Sequence, residues 1–446
     1  MGAMRARLRS ASLLLALAAG ACGDVRTLSP DATALDATAD APAAGTVTIE
    51  IYNLFGNEGP LEGTDVIVVT PEGTLVGEAT TDGDGRASID DVPGGSILLF
   101  FPAAPDAPEH LVVAIYDVQP GDEIVFTDEE SQGDSLGNMT VVLPVHGEAG
   151  TYHVSNGCSE ASGSDPSGIG LPFYPGCVIE DEADMLAWVT DASEQVVAFL
   201  HARRPFAAAM PMDLQDVPWQ EPDTLDVKLT SVPPEARRLD MTSDQMLDRR
   251  RYGALYQTDL LDLPDPDFET SAARPASFGD STIVTFDFMA NQSSLGAQQL
   301  QARVDGDNDE LEIDLSSTLL PWYSTPAYDV GQKKMIWSRT DGHEPDGHFL
   351  LFTWSDEGGG GTQGIWYTIS PPGWTELPLP ALPPPWDEEL PQDPGPINAL
   401  ILAVESSAVD GWDATRQLGI GLVLEDALHA APPGTTILRS SAPGDN

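Results

Sequence analysis

Proline and glycine, 38 and 42 of them in 446 residues, recur every few positions after residue 25 and interrupt any long helical period. Proline removes a backbone donor and glycine loosens the chain, so a helical bundle, a coiled coil and a doubly wound α/β sheet are all disfavoured. Such punctuation leaves short strands joined by turns. The chain is longer than one core usually serves, which leads us to expect several domains. Charge then narrows the partners. Lys plus Arg is 20 against 71 for Asp plus Glu, a formal charge of −51, which repels polyphosphate and leaves no basic stretch to track a nucleic-acid backbone. No nucleic-acid partner is expected.

Arg5, Arg7 and Arg9 precede an uncharged apolar run from Ser12 to Ala21, the order found in a secretory leader. The run is too short to cross a bilayer as a mature helix. It ends in Ala19-Gly20-Ala21-Cys22, which resembles the lipobox of bacterial lipoproteins. The resemblance implies that 1–21 is a cleaved signal peptide, that Cys22 is acylated as the first mature residue, and that a lipid bilayer is the partner of the acylated N-terminus. Two or three acyl chains suffice for stable anchoring where one does not. The other reading is an ordinary leader cut near Ala21, with Cys22 incidental. Gly23 follows the cysteine and Asp24 comes one later, so the Asp associated with inner-membrane retention is not in its place, and outer-membrane or surface placement in a Gram-negative envelope is expected. Residues 22–45 are rich in Asp, Ala, Thr and Pro and read as an acidic, disordered tether.

With Cys22 assigned to lipid, Cys158 and Cys177 form an even pair. Outside the cytosol such a pair closes a disulfide, worth roughly 3 kcal/mol for a loop of this size in the chain-entropy model. A metal site would want further Cys or His nearby, and a redox pair would want a two-residue spacing; neither is present around them.

Between 46 and 128 the chain reads as a meander, Val47 to Ile51, Asp65 to Val69, Leu75 to Ala79, Ala87 to Ile89, Ser96 to Phe101, Leu111 to Tyr116 and Glu123 to Phe126. Val47, Ile49 and Ile51 alternate as one buried face requires, and Asp82-Gly83-Asp84-Gly85 and Pro93-Gly94-Gly95 supply turns. The stretches Pro60 to Val66, Thr81-Asp82-Gly83-Asp84-Gly85-Arg86 and Val92-Pro93-Gly94-Gly95 resemble the carboxypeptidase regulatory-like domain, a transthyretin-type sandwich. Ile97 stands where an aromatic often follows in that family. The resemblance implies a spacer or binding module and brings no catalytic residue.

A disulfide-clipped β domain is expected over 137–217, with Met185 to Thr190 and Val196 to His201 forming a hairpin around Asp191-Ala192-Ser193-Glu194. From 223 to 446 a larger β-rich region follows, with strands at Thr224 to Leu229, Thr282 to Met289, Gln299 to Val304, Glu310 to Leu315, Met335 to Ser338, His348 to Trp354, Gly364 to Ile369 and Ile397 to Val404. Ser243 to Leu261 has a capping residue and few breakers, which predicts a short helix. The expected fold class is therefore mainly β, multi-domain β-sandwich modules with at most one or two short helices.

Three short blocks invite a catalytic reading. Phe278-Gly279-Asp280-Ser281, Gly306-Asp307-Asn308-Asp309 and Asp426-Ala427-Leu428-His429 resemble the blocks of the GDSL or SGNH hydrolases. Carried over, Ser281 is the nucleophile and His429 the base of an esterase. Context opposes this. Ser281 opens a strand rather than a helix, too few residues separate it from Asn308 for a βαβα segment, and Gly306 to Asp309 fits a hairpin turn.

Other constellations rank lower. His343-Glu344-Pro345-Asp346-Gly347-His348 lacks helical metalloprotease spacing, and a solvated loop is expected. Counted as calcium loops, Asp82 puts Ala87 at the glycine position and Asp305 puts Ser316 at the glutamate position. Trp337, Trp354, Trp366, Trp374, Trp386 and Trp412 either line a carbohydrate-binding face or fill cores. The expectation is an exported, non-catalytic lipoprotein with a binding or structural role, no cofactor and no metal, with a glycan or a protein as the candidate ligand. An esterase and a carbohydrate-binding protein remain as alternatives.

Overall fold

A computed structural model of the chain describes residues 45–52, 59–101, 110–127, 135–148, 150–207, 210–234, 236–261, 267–290, 296–355, 364–390, 397–409, 411–418 and 431–442. The leader, Cys22, the tether and His429 lie outside the described residues. The fold is mainly β, with 58% of the described residues in strands against 4% in helices.

The first seven strands are β1 (Gly45–Tyr52), β2 (Asp65–Val69), β3 (Leu75–Thr80), β4 (Arg86–Val92), β5 (Gly95–Phe100), β6 (His110–Val118) and β7 (Glu123–Thr127). They form two layers, β4-β1-β7 facing β6-β5-β2-β3. Val47, Ile49, Ile51 and Phe126 meet Val66, Val68, Leu99 and Ile115 in the core between them. Period-two alternation on β1 works as the sequence suggests. On β2, β5 and β6, however, both faces are buried, because Ile67, Val69, Leu98, Phe100, Val112 and Ala114 point into a second core. Runs such as Ile67-Val68-Val69 and Ile97-Leu98-Leu99-Phe100 carry the uninterrupted apolar pattern of a strand covered on two sides.

The disulfide unit comprises β8 (Gly137–Val142), β9 (Thr151–Ser155), β10 (Glu160–Gly163), β11 (Ile169–Phe173), β12 (Glu182–Thr190), β13 (Val196–Pro205) and β14 (Met212–Asp213). Sheets β10-β9-β12-β13 and β11-β8-β14 enclose Val141, Val154, Leu171, Phe173, Met185 and Leu200. Cys158 and Cys177 are joined, with their Cα atoms 5.8 Å apart. In the β12–β13 hairpin Trp188 lies opposite Phe199. Both rings turn away from the unit's own core and pack on Tyr252 and Phe278 of the next region.

That region contains β15 (Pro222–Thr230), β16 (Ala236–Leu247), β17 (Arg250–Leu261), β18 (Phe268–Pro275), β19 (Ser281–Ala290), β20 (Ala297–Asp305), β21 (Glu310–Asp314), β22 (Ala327–Asp329), β23 (Lys334–Ile336), β24 (Gly347–Trp354), β25 (Gly364–Ser370), β26 (Glu376–Pro378), β27 (Ile397–Ser406), helix α1 (Gly411–Gln417) and β28 (Thr436–Ser441). Its backbone is a twelve-stranded sheet in the order β17-β16-β19-β20-β28-β27-β24-β25-β6-β5-β2-β3. The inner layer of the N-terminal strands is thus the far end of the C-terminal sheet. The seam is the parallel pairing of β6 with β25, from His110 opposite Gly364 to Ile115 opposite Ile369. Two small sheets, β18-β15-β21 and β22-β23-β26, contribute to the large core on one face of it.

Two sequence expectations are corrected here. Residues 243–261 are not helical: β16 and β17 form a hairpin, and β16 also pairs with β19. The turn is Asp248-Arg249, both at positive φ (49° and 66°), the geometry of a two-residue turn that twists with its strands. Ser243, read as a cap, is buried in mid-strand, where tertiary pairing overrides local propensity. Gly306 to Asp309 is not a hairpin turn either. It passes the chain from β20 in the large sheet to β21, which pairs with β15 in another.

Candidate functional site

Two of the three hydrolase-like blocks do meet in space. Ser281 lies opposite Asp305 where β19 pairs with β20, and the Gly306 N–H donates to the Asp280 carbonyl at 3.0 Å. What brings them together is antiparallel strand pairing, not a strand-to-helix elbow. The Ser281 side chain is fully buried. Its hydroxyl donates to Asp280 Oδ1 at 2.8 Å and accepts from Arg303 Nε at 2.8 Å. Arg303 also donates to the Ala431 carbonyl at 2.6 Å and pairs with Asp280 at 3.3 Å. Asn308 turns its carbonyl to Arg274 at 2.6 Å, so that block serves to tie β18 to the turn after β20. His429 lies outside the described residues. A serine with no exposed surface and its hydroxyl engaged on both sides is a packed polar knot, without the access a substrate carbonyl requires.

The acidic turns are spent on their own backbone. Asp82 Oδ1 accepts from the N–H groups of Asp84 and Arg86 at 2.9 and 3.0 Å, and Asp305 Oδ1 accepts from Asp307 at 3.1 Å. Asp309 pairs with Arg274. Among the described residues no cluster of His, Cys, Asp and Glu is arranged to hold a metal ion.

The His343 to His348 stretch departs from the solvated loop expected of it. His343 is exposed and lies 3.4 Å from Glu405, but Asp346 is buried, accepting from the N–H groups of Ser406 and Gly411 at 2.9 and 3.0 Å. Burial and the neighbouring Asp346 push the Glu405 carboxyl above its usual range. His348 is buried at the start of β24, with Nε2 3.0 Å from the Tyr323 hydroxyl. Burial, with Arg339 nearby, lowers its pKa to about 3, so the ring is neutral. The apolar run Phe349-Leu350-Leu351-Phe352 carried the strand expected from His348 onward, and β24 begins one residue earlier, at Gly347.

The six tryptophans point inward. Trp337, Trp354 and Trp366 are buried in the large core, Trp374 and Trp386 are partly buried against it, and Trp412 packs against the N-terminal core. Among the described residues these rings form no exposed row on which a sugar face could stack. Arg303 was not identifiable from sequence, since nothing around it marks a buried cation.

No family model matches the chain, and no curated protein does. Among solved structures, the Bacillus anthracis TIE protein matches at 12% identity and a TM-score of 0.16 over 61% of this chain and 50% of that one, so the chain spans about half of that protein's length. BcpA, the major pilin subunit of Bacillus cereus, matches at 9% identity and a TM-score of 0.15, covering 61% of this chain and 98% of that one. A putative adhesin from Bacteroides ovatus matches at 8% and 0.15, covering 40% and 92%. TM-scores this low establish no shared arrangement of the chain.

Proposed function

We propose that this chain is an exported lipoprotein, held to the outer membrane or cell surface through acylated Cys22, with a non-catalytic binding or structural role. The observation that carries the reading is the Cys158–Cys177 bond, made from the two cysteines left once Cys22 is set aside for lipid. Such a bond belongs to an oxidising compartment, to which the Arg5-to-Ala21 leader would deliver the chain. The two β layers over 45–127 are in keeping with a carboxypeptidase regulatory-like module, here acting as spacer or docking unit. The buried, doubly engaged Ser281 hydroxyl gives no support to an esterase.

Labelling cells with tagged palmitate tests the anchor. The full-length protein should take up label and fractionate with the envelope, and Cys22→Ser should abolish both. Label retained by the variant, or wild-type protein recovered in the cytoplasm with its leader, would overturn the reading. Alkylation without reduction should modify neither Cys158 nor Cys177, whereas alkylation after reduction and unfolding should modify both.

A further inference from the structure

A row of buried polar side chains crosses the large sheet perpendicular to its strands. Gln298 on β20 lies beside Ser440 on β28, Ser440 beside Ala403 on β27, Ala403 beside His348 on β24, and His348 beside Ser370 on β25. All point to the face that carries the large core. The irregular segment 320–323 runs along this row and is pinned to it step by step. Gln298 Nε2 donates to the Leu320 carbonyl at 2.7 Å and its Oε1 accepts from the Leu320 N–H at 3.1 Å. Ser440 Oγ donates to the Pro321 carbonyl at 2.6 Å, and His348 Nε2 meets the Tyr323 hydroxyl at 3.0 Å.

At the β25 end the pattern stops short of completion. Ser370 Oγ, Thr368 Oγ1, His348 Nδ1 and Trp337 Nε1 are all buried and make no hydrogen bond to the protein. They are neighbours. Ser370 is directly opposite His348, Thr368 is the next residue on the same face of β25, and the Trp337 ring packs edge-on to His348 with centroids 6.0 Å apart. Their chemistry is complementary. Arg339 acts on the Tyr323 oxygen, which favours the arrangement in which the Tyr323 hydroxyl donates to His348 Nε2 and the ring proton sits on Nδ1. The Pro371 carbonyl approaches the ring closely enough to favour its protonated form, yet Nδ1 makes no hydrogen bond of good geometry. The site therefore offers two N–H donors, from Trp337 and His348, and two hydroxyls free to accept, on Ser370 and Thr368.

We propose that this end of the row is a binding site for an ordered internal water molecule, accepting from Trp337 Nε1–H and His348 Nδ1–H and donating to the Ser370 and Thr368 hydroxyls. Water matches the demand because one molecule carries two acceptor and two donor positions, and buried polar groups in native proteins find a partner in protein or water. A bound ion would place a charge among buried aromatic rings with no countercharge at the four atoms.

A crystal structure of the full chain at atomic resolution tests this directly. A water within hydrogen-bond distance of Trp337 Nε1, His348 Nδ1 and at least one hydroxyl is the expected result. A dry site, side chains rotated to pair with one another, or density for chloride or an organic molecule would overturn it. In solution, oxygen-17 relaxation dispersion should count at least one long-lived water fewer in Ser370→Ala than in wild type, with the same loss in the double variant Thr368→Val, Ser370→Ala. An unchanged count in folded variants would overturn it equally.

Discussion

Among the described residues, buried charged side chains are few and specifically matched. Against a net charge of −51, Arg274, Arg303, Arg416 and Arg439 are nearly fully buried, each bonded to acidic, amide or carbonyl oxygens. Arg416 on α1 holds Asp122 through two bonds of 2.7 and 3.0 Å, locking the helix to the turn before β7. Removing one partner from such a pair costs more than the pair is worth, because it strands the other in a medium of low polarizability. His348 solves the same problem by staying neutral. Its pKa in the fold is about 3 against an ordinary 6.5, so the unfolded chain binds a proton at pH values where the folded one does not. The resulting stabilisation is complete above pH 6.5 and declines as the pH falls towards 3, by at most about 1.4 kcal/mol per pH unit. Urea unfolding at pH 7 and pH 4.5 should therefore show wild type losing roughly 2 kcal/mol more than His348→Gln, with the carboxylate contribution common to both. Equal losses would show that the ring is accessible to protons in the native state.

Among the elements, the β16–β17 hairpin depends on a turn with two side-chain-bearing residues at positive φ. Asp248 tolerates that conformation because its short polar side chain bonds locally, whereas a β-branched residue does not. Asp248→Val should lower stability by about 1–2 kcal/mol, and Asp248→Asn should leave it within experimental error, both read from urea midpoints. A neutral Val variant would mean the turn is not held as described. The same hairpin marks the limit of what the sequence discloses. Strands with their own alternation or apolar run, such as β1, β5, β12 and β24, are legible because one chain segment contains the whole signal. The span 243–261 carries few breakers, and its strand character comes from β19, forty residues away in places and invisible to local reading. Of the site residues, Cys158 and Cys177 were legible because two thiols leave one pairing. The strand starting at His348 was legible, but the burial of Asp346 and His348 was not, because a Pro-Asp-Gly sequence there reads as a solvated turn; the Gln298–Ser440–His348 row could not be read because its members come from distant strands.

For the molecule as a whole, the boundaries suggested by composition and the boundaries of packing differ. The stretch from 46 to 128 resembles a self-contained module, yet its β6-β5-β2-β3 layer covers part of the large core with Leu98, Phe100, Val112, Ala114 and Tyr116. A fragment starting at 137 should consequently expose the β25 edge and part of that core. It is expected to bind a hydrophobic dye and to lack the cooperative melting of the full chain, and a fragment melting at the full-length temperature would contradict the shared sheet. The disulfide unit, which keeps its own core and touches the rest through Trp188, Phe199, Tyr252 and Phe278, is the part best able to melt separately.

Strand β28, the last described in the chain, sits in the middle of the twelve-stranded sheet, between β20 and β27. The keystone is therefore set last. However early the leading strands emerge, β20 and β27 lack the strand that pairs with both until residues 436–441 arrive, so a polypeptide cut before them would present two raw strand edges.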